Sequence, residues 1–205
     1  MLKLKYLSYL KMKTFIVSYF ENLEFALTTK FIMKKDWNIE SWLILGNKID
    51  NDKYTRTNVL HWNWIEHILP ELIKCNDDVI VMEDDVRLTK ELDELPFDDY
   101  DICWFGFRRG RLEQKKQRIT GTQGIYFKKE VLQDLNEHFN NYKKKIHADN
   151  CMSQFCIKYK DKYKVYQPLL SYVYEKDHES HISLDNWAMY TKPKKNIENI
   201  KNDKD

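Results

Sequence analysis

An α/β fold, a mostly parallel sheet flanked by helices in a single domain, is what this 205-residue sequence predicts. Three observations predict it. Short apolar, β-rich runs alternate with helical stretches through the first half of the chain. The runs at 41–46 and 78–82 are apolar enough to be buried strands. The second of these ends in three adjacent carboxylates, Glu83, Asp84 and Asp85. Open α/β sheets present their ligands beyond such strand ends.

"KTFIVSYF" (13–20) is the first strand candidate. Residues 21–34 place Leu23, Phe25, Ala26, Leu27, Phe31, Ile32 and Met33 at roughly helical spacing. "SWLILG" (41–46) is the second strand, closed by Gly46, and a polar loop follows. Val59, Trp62, Ile65, Leu69, Leu72 and Ile73 mark one face of a helix that Pro70 should kink or restart. "DVIVM" (78–82), "YDICWFGF" (100–107) and "GTQGIYF" (121–127) are further strands, separated by a basic loop at 108–118. Val131, Leu132, Leu135 and Phe139 predict one more helix. Met152, Phe155, Cys156 and Tyr159 predict another, with Asp149 or Asn150 near its N-cap. "KVYQPLLSYV" (164–173) reads as a late strand or extended segment.

Composition narrows the function classes. Hydrophobic residues at 42% and aromatics at 14% place the chain among globular proteins. A net charge of +2 gives no global argument for nucleic acid. The four cysteines form no CxxC pair and read as reduced thiols. No run of 18 apolar residues occurs, so no transmembrane segment is expected. Residues 1–12 read as an N-terminal extension, or as a basic, apolar helix on a membrane surface. Residues 13–190 form the domain and 191–205 a flexible charged tail. The expected location is cytoplasmic, with the cytoplasmic membrane face as an alternative. Oligomeric state is not legible.

Three carboxylates in a row repel one another unless something positive sits nearby. Along a strand Glu83 and Asp85 point one way and Asp84 the other. Hard divalent cations take oxygen ligands, and Mg²⁺ often uses one or two carboxylates plus substrate phosphates. Such a cation would relieve the repulsion and clamp a diphosphate. A solvated polar strand end is the plain alternative.

"VIVMEDDVRL" (79–88) resembles the acidic motif of glycosyltransferase family 25, the lipooligosaccharide and collagen galactosyltransferase group. Later segments keep that family's order. "GTQGIYFKKEVLQDL" (121–135) resembles its GT-x-a-Y strand and the helix after it. "HADNCMSQF" (147–155) resembles its D-x-x-L region, and "VYQPLLSYVYEKDHESHIS" (165–183) its last stretch. The helix with Trp62 and Trp64 sits where the family has S-H-x-x-x-W, without the G-C-x-x-S-H signature. The resemblance covers roughly residues 57–183. It implies a GT-A fold of Rossmann type and an inverting transfer from a nucleotide sugar, UDP-linked. It also implies Mn²⁺ or Mg²⁺ on a DxD-type motif, and work in lipopolysaccharide biosynthesis.

Carried onto this chain, the resemblance makes Asp85 the main metal ligand, with Glu83 and the late His181 as partners. Asp84 or Glu83 would reach the donor ribose or a metal-bound water. Ser18 and Tyr19, ending the first strand, fall where the nucleotide base is met, and Arg56 where a diphosphate is reached. Asp149 takes the place of the catalytic base, a role compatible with capping a helix. The basic loop with Arg108, Arg109 and Arg111, followed by Gly121 and Thr122, would contact acceptor or phosphate. An ordinary solvated loop is its alternative. The acceptor is expected to be a glycan, with viral or phage nucleic acid as a lesser option. Two other classes stay open: a metal-dependent phosphodiesterase or nuclease using the same carboxylates, and a non-catalytic binding module.

Overall fold

The computed structural model describes residues 12–46, 56–107, 121–142 and 147–175. Strand β1 (Lys13–Tyr19) leads through a 3-10 turn into helix α1 (Leu23–Trp37), and β2 (Ser41–Gly46) follows. Helix α2 (Arg56–Asn63) runs into a π turn (Trp64–Ile68) and then α3 (Leu69–Cys75). Next come β3 (Val79–Glu83), β4 (Val86–Leu88), two 3-10 turns, β5 (Ile102–Gly106) and β6 (Gly124–Phe127). Helices α4 (Lys129–Asn141) and α5 (Ala148–Lys158) precede the short strands β7 (Val165–Tyr166) and β8 (Val173–Glu175).

The predicted α/β class holds. Six strands form one sheet in the order β2-β1-β3-β6-β5-β7, and β4 pairs with β8 in a second. Every pairing in the larger sheet is parallel except the two made by β6, which runs against β3 and β5. Strand period two divides the core. Val79 and Val81 of β3, Ile102 and Trp104 of β5, and Ile125 and Phe127 of β6 pack with α3, α4 and α5 on one face. Ile80, Met82, Cys103, Phe105 and Tyr126 pack with Met33 of α1 and the 3-10 turns on the other. Both faces are covered, which is why these strands are apolar throughout. Trp104 and Tyr126 are therefore core residues.

Some boundaries differ from expectation for physical reasons. The helix through Pro70 restarts there, one of the two outcomes expected. Pro70 falls in the first turn of α3, and the wider π turn lies just upstream, where the missing proline N–H disrupts the α ladder. The segment 164–173 is not one strand: β7 joins the large sheet and β8 the small one. Helices α1 and α3 end on Asn38 and Asn76, both left-handed with φ near 52° and 51°, a conformation that asparagine tolerates. None of the four cysteines is in a disulfide. Burial pushes the Cys151 and Cys156 thiols up to about 12. They are packing groups, not nucleophiles.

Two buried histidines, His61 and His138, join α2, α4 and α5. The Nε2 of His61 meets the Phe139 carbonyl at 3.0 Å and that of His138 meets the Cys151 carbonyl at 3.2 Å. Burial lowers both pKa values, and Lys158 pushes His138 further down. The neutral rings are thus fully compatible with folding above the unfolded value of about 6.5. Below it the unfolded chain takes protons first, and stability falls until the lower folded-state values are reached. We expect the melting temperature to drop as pH falls from 7 towards 5, with a slope of at most about 1.4 kcal/mol per pH unit per histidine. His138→Gln removes one titrating group and should flatten that slope; an unchanged slope would assign it to other groups.

Candidate active site

The rim formed by the carboxyl ends of β1, β2 and β3 gathers most of the singled-out side chains. Register does this: Val17 pairs with Glu83 and Tyr19 with Gly46. Because β6 runs antiparallel, the residues entering it sit at this same rim, and the Glu83 N–H donates to the Gln123 carbonyl at 3.3 Å. Glu83 ends β3, while Asp84 and Asp85 form the turn into β4.

The first two members of the triplet point apart, as strand alternation predicts. Glu83 Oε1 accepts from Thr122 Oγ1 at 2.5 Å. Asp84, only 9% exposed, accepts from Ser18 Oγ at 2.5 Å. Two residues expected to meet the donor, Ser18 and Asp84, thus bond to each other. Asp85 is half-buried, and its Oδ1 is shielded from solvent.

An arginine lies two residues beyond the triplet, in β4. Arg87 Nη1 donates to Thr29 Oγ1 and to the Val86 carbonyl, both at 2.6 Å. Thr29, fully buried on α1, donates in turn to the backbone carbonyl of Asp84. The guanidinium is thereby anchored beside the acidic turn through α1.

Asp149 lies in the first turn of α5, whose N-cap is His147. It is not the cap itself. Its Oδ1 accepts from the Asn150 N–H at 2.7 Å and its Oδ2 from the Gly121 N–H at 3.2 Å. The Gly121 carbonyl accepts from Trp104 Nε1 at 3.0 Å. A short path therefore links Asp149 through Gly121 and Thr122 to Glu83. Gly121 has φ of +86°, so a side chain here would be strained.

Tyr19 faces the acidic pair. Burial, then the charges of Glu83 and Asp84, push its hydroxyl well above the usual range, so the phenol keeps its proton. Asn63 hydrogen-bonds that hydroxyl. It is 2% exposed, sits at the end of α2 before the π turn, and donates from Nδ2 to the Val59 carbonyl at 3.0 Å. Gly46 makes room for it, since a Cβ there would lie 2.0 Å from Asn63 Oδ1. Gly46→Ala should displace Asn63 and cost about 1–3 kcal/mol, as overpacking of a tight contact does; chemical denaturation measures it, and an unchanged midpoint would mean the contact relaxes freely.

Arg56 begins α2, and the direction of its side chain is not described. His181, Arg108, Arg109 and Arg111 lie outside the described residues. Asn63 and Thr29 carry no motif, and Arg87, within the acidic motif, was given no role. The faint signals were Gly46 closing a strand and an arginine two residues beyond the triplet. Among the described residues no three His, Cys, Asp or Glu side chains are grouped to hold a metal. The all-oxygen donor set of Glu83 and Asp85 nevertheless fits a hard cation, which needs one or two carboxylates when phosphates complete its shell.

No family model matches the sequence, and no curated protein matches it. The likeness to family 25 thus stays a likeness. Solved structures are similar in fold. A Drosophila galactosyltransferase variant in complex with manganese, UDP-Gal and xylobiose superposes with a TM-score of 0.51 at 10% identity, covering 88% of this chain and 80% of that one. A glycosyltransferase involved in glycosylation of the major capsid of PBCV-1 gives 0.48 at 10% identity, covering 76% and 81%. A CTP:phosphocholine cytidylyltransferase from Streptococcus pneumoniae gives 0.41 at 11% identity, covering 81% and 93%. Of the three, the galactosyltransferase alone exceeds one half. The sheet with its single antiparallel strand thus shares its fold with that galactosyltransferase.

Proposed function

We propose that this chain is a metal-dependent glycosyltransferase that moves a hexose from a UDP-linked sugar to a glycan or other hydroxyl acceptor. The observation that carries this reading is the acidic turn at the rim, tied through Thr122 and Gly121 to the carboxylate of Asp149. One side of the turn would hold a donor and the other an acceptor. The fold shared with the galactosyltransferase supports the same reading.

In this mechanism Ser18, Tyr19 and Asp84 bind the nucleoside end of the donor. Asn63 holds the Tyr19 hydroxyl in place, and Arg56 is assigned to the diphosphate. Asp85 and Glu83 would hold Mn²⁺ or Mg²⁺, with His181 as a third ligand. When bound, that cation neutralises the diphosphate and stabilises it as a leaving group. Asp149 orients the acceptor hydroxyl and takes its proton as the oxygen bonds to the anomeric carbon. The bond from that carbon to the diphosphate oxygen breaks with its electron pair, and UDP departs. The Gly121 and Asn150 N–H groups hold the base in position for this. Arg108, Arg109 and Arg111 are assigned to an anionic portion of donor or acceptor.

Isothermal titration of the protein with UDP, in the presence and absence of Mn²⁺, tests the reading. We expect binding that requires the metal and a slow hydrolysis of UDP-hexose without acceptor. Absence of UDP binding together with cleavage of an oligonucleotide would replace the transferase with a nuclease. Silence in both assays would leave a binding module.

A further inference from the structure

We propose, resting on the donor-site reading above, that Thr29 of α1 is the positioning residue of the acidic turn. Its hydroxyl fixes the peptide between Asp84 and Asp85, and with it the directions in which both carboxylates leave the chain.

The turn of Asp84 and Asp85 joins β3 to β4, and Asp84 is held in it twice. Its carboxylate accepts from Ser18 Oγ at 2.5 Å, and its backbone carbonyl accepts from Thr29 Oγ1. A peptide unit is planar, so a bond that pins this carbonyl also orients the Asp85 N–H. The soft dihedrals on either side of that plane, ψ of Asp84 and φ of Asp85, set where the two side chains project. The Ser18 bond restrains one carboxylate. The Thr29 bond restrains the backbone that both share.

Packing alone does not call for threonine at this place. Residue 29 is 0% exposed, on the buried side of α1 with Ala26 and Met33. Apolar residues are the ordinary occupants of such positions, and threonine is a modest helix former. The neighbouring threonine shows what a helical hydroxyl commonly does: Thr28 Oγ1 donates to the Glu24 carbonyl, four residues back, at 2.8 Å. Thr29 instead donates to a carbonyl 55 positions along the chain. A hydroxyl has one proton to give and lone pairs with which to accept. Arg87 Nη1 donates to Thr29 Oγ1 at 2.6 Å and can accept nothing in return. The guanidinium therefore directs the Thr29 proton towards the Asp84 carbonyl. Nη1 also donates to the Val86 carbonyl, which holds it beside the turn. Without the hydroxyl, the Asp84 carbonyl loses its donor, and a binding constellation is sensitive to small changes in the aim of its side chains.

Calorimetric titration with UDP in Mn²⁺ tests the assignment on four proteins besides the unmodified one's own isotherm: Thr29→Val, Thr29→Ala, Thr29→Ser and, as a control for loosened packing on α1, Met33→Ala. Thr29→Val keeps the shape of the side chain and loses the hydroxyl. Thr29→Ala and Thr29→Ser differ from each other in the hydroxyl alone. We expect Thr29→Val and Thr29→Ala to bind UDP about tenfold more weakly, the scale of one buried hydrogen bond. Thr29→Ser should keep most of the affinity although it melts lower, having lost a packed methyl, and Met33→Ala should do the same. Should Thr29→Val not fold, the comparison of Thr29→Ala with Thr29→Ser decides. Equal affinity in those two would overturn the proposal, as would a loss in Met33→Ala as large as in Thr29→Ala. Absence of UDP binding by the unmodified protein would overturn the donor-site reading itself, and the role of Thr29 with it.

Discussion

Asp85→Ala abolishes sugar transfer and leaves the protein folded: that is the largest effect we expect. Asp85 lies in a two-residue turn and is half-buried, and it is not a member of either apolar core cluster. Removing one of three adjacent carboxylates also relieves repulsion, so the melting temperature should hold or rise. In the proposed mechanism this side chain holds the cation that stabilises the departing diphosphate. Loss of several kcal/mol of that stabilisation corresponds to a fall in kcat/KM of about 10³-fold or more. UDP affinity in Mn²⁺ should fall with it. Near-normal turnover in saturating Mn²⁺ would remove Asp85 from the metal site.

Asp149→Asn separates chemistry from binding. The amide keeps the size of the side chain and can still accept through its oxygen from the Gly121 or Asn150 N–H. It cannot take a proton. A general base contributes about 10²- to 10⁴-fold, so kcat should fall by that order while donor affinity stays within about twofold. Equal losses in both would make Asp149 a brace for the 121–122 segment rather than a base.

Much of the frame was legible locally. The second strand falls on 41–46 as read, and β1, α1, α4 and α5 start and stop within a few residues of expectation. Their signals are periodicity and turn residues, which neighbours in sequence decide. The acidic triplet was legible at a strand end for the same reason. The split of "KVYQPLLSYV" between two sheets was not, because a two-residue strand carries no period. Nor was the role of Tyr126, whose hydroxyl donates to Asp78 from inside the core.

The sequence alone determined that this chain alternates strand and helix and that its densest negative charge lies where a sheet strand ends. Tertiary structure alone decided that β6 enters from the opposite direction, carrying Gly121 and Thr122 to that charge and Asp149 with them. It also decided that Asn63, 17 positions beyond Gly46 in the chain, fills the space that glycine leaves. Strand order and direction are chosen by how two covered faces pack together, and that choice depends on partners far away in sequence. Local propensity therefore speaks for the elements, and packing for the site.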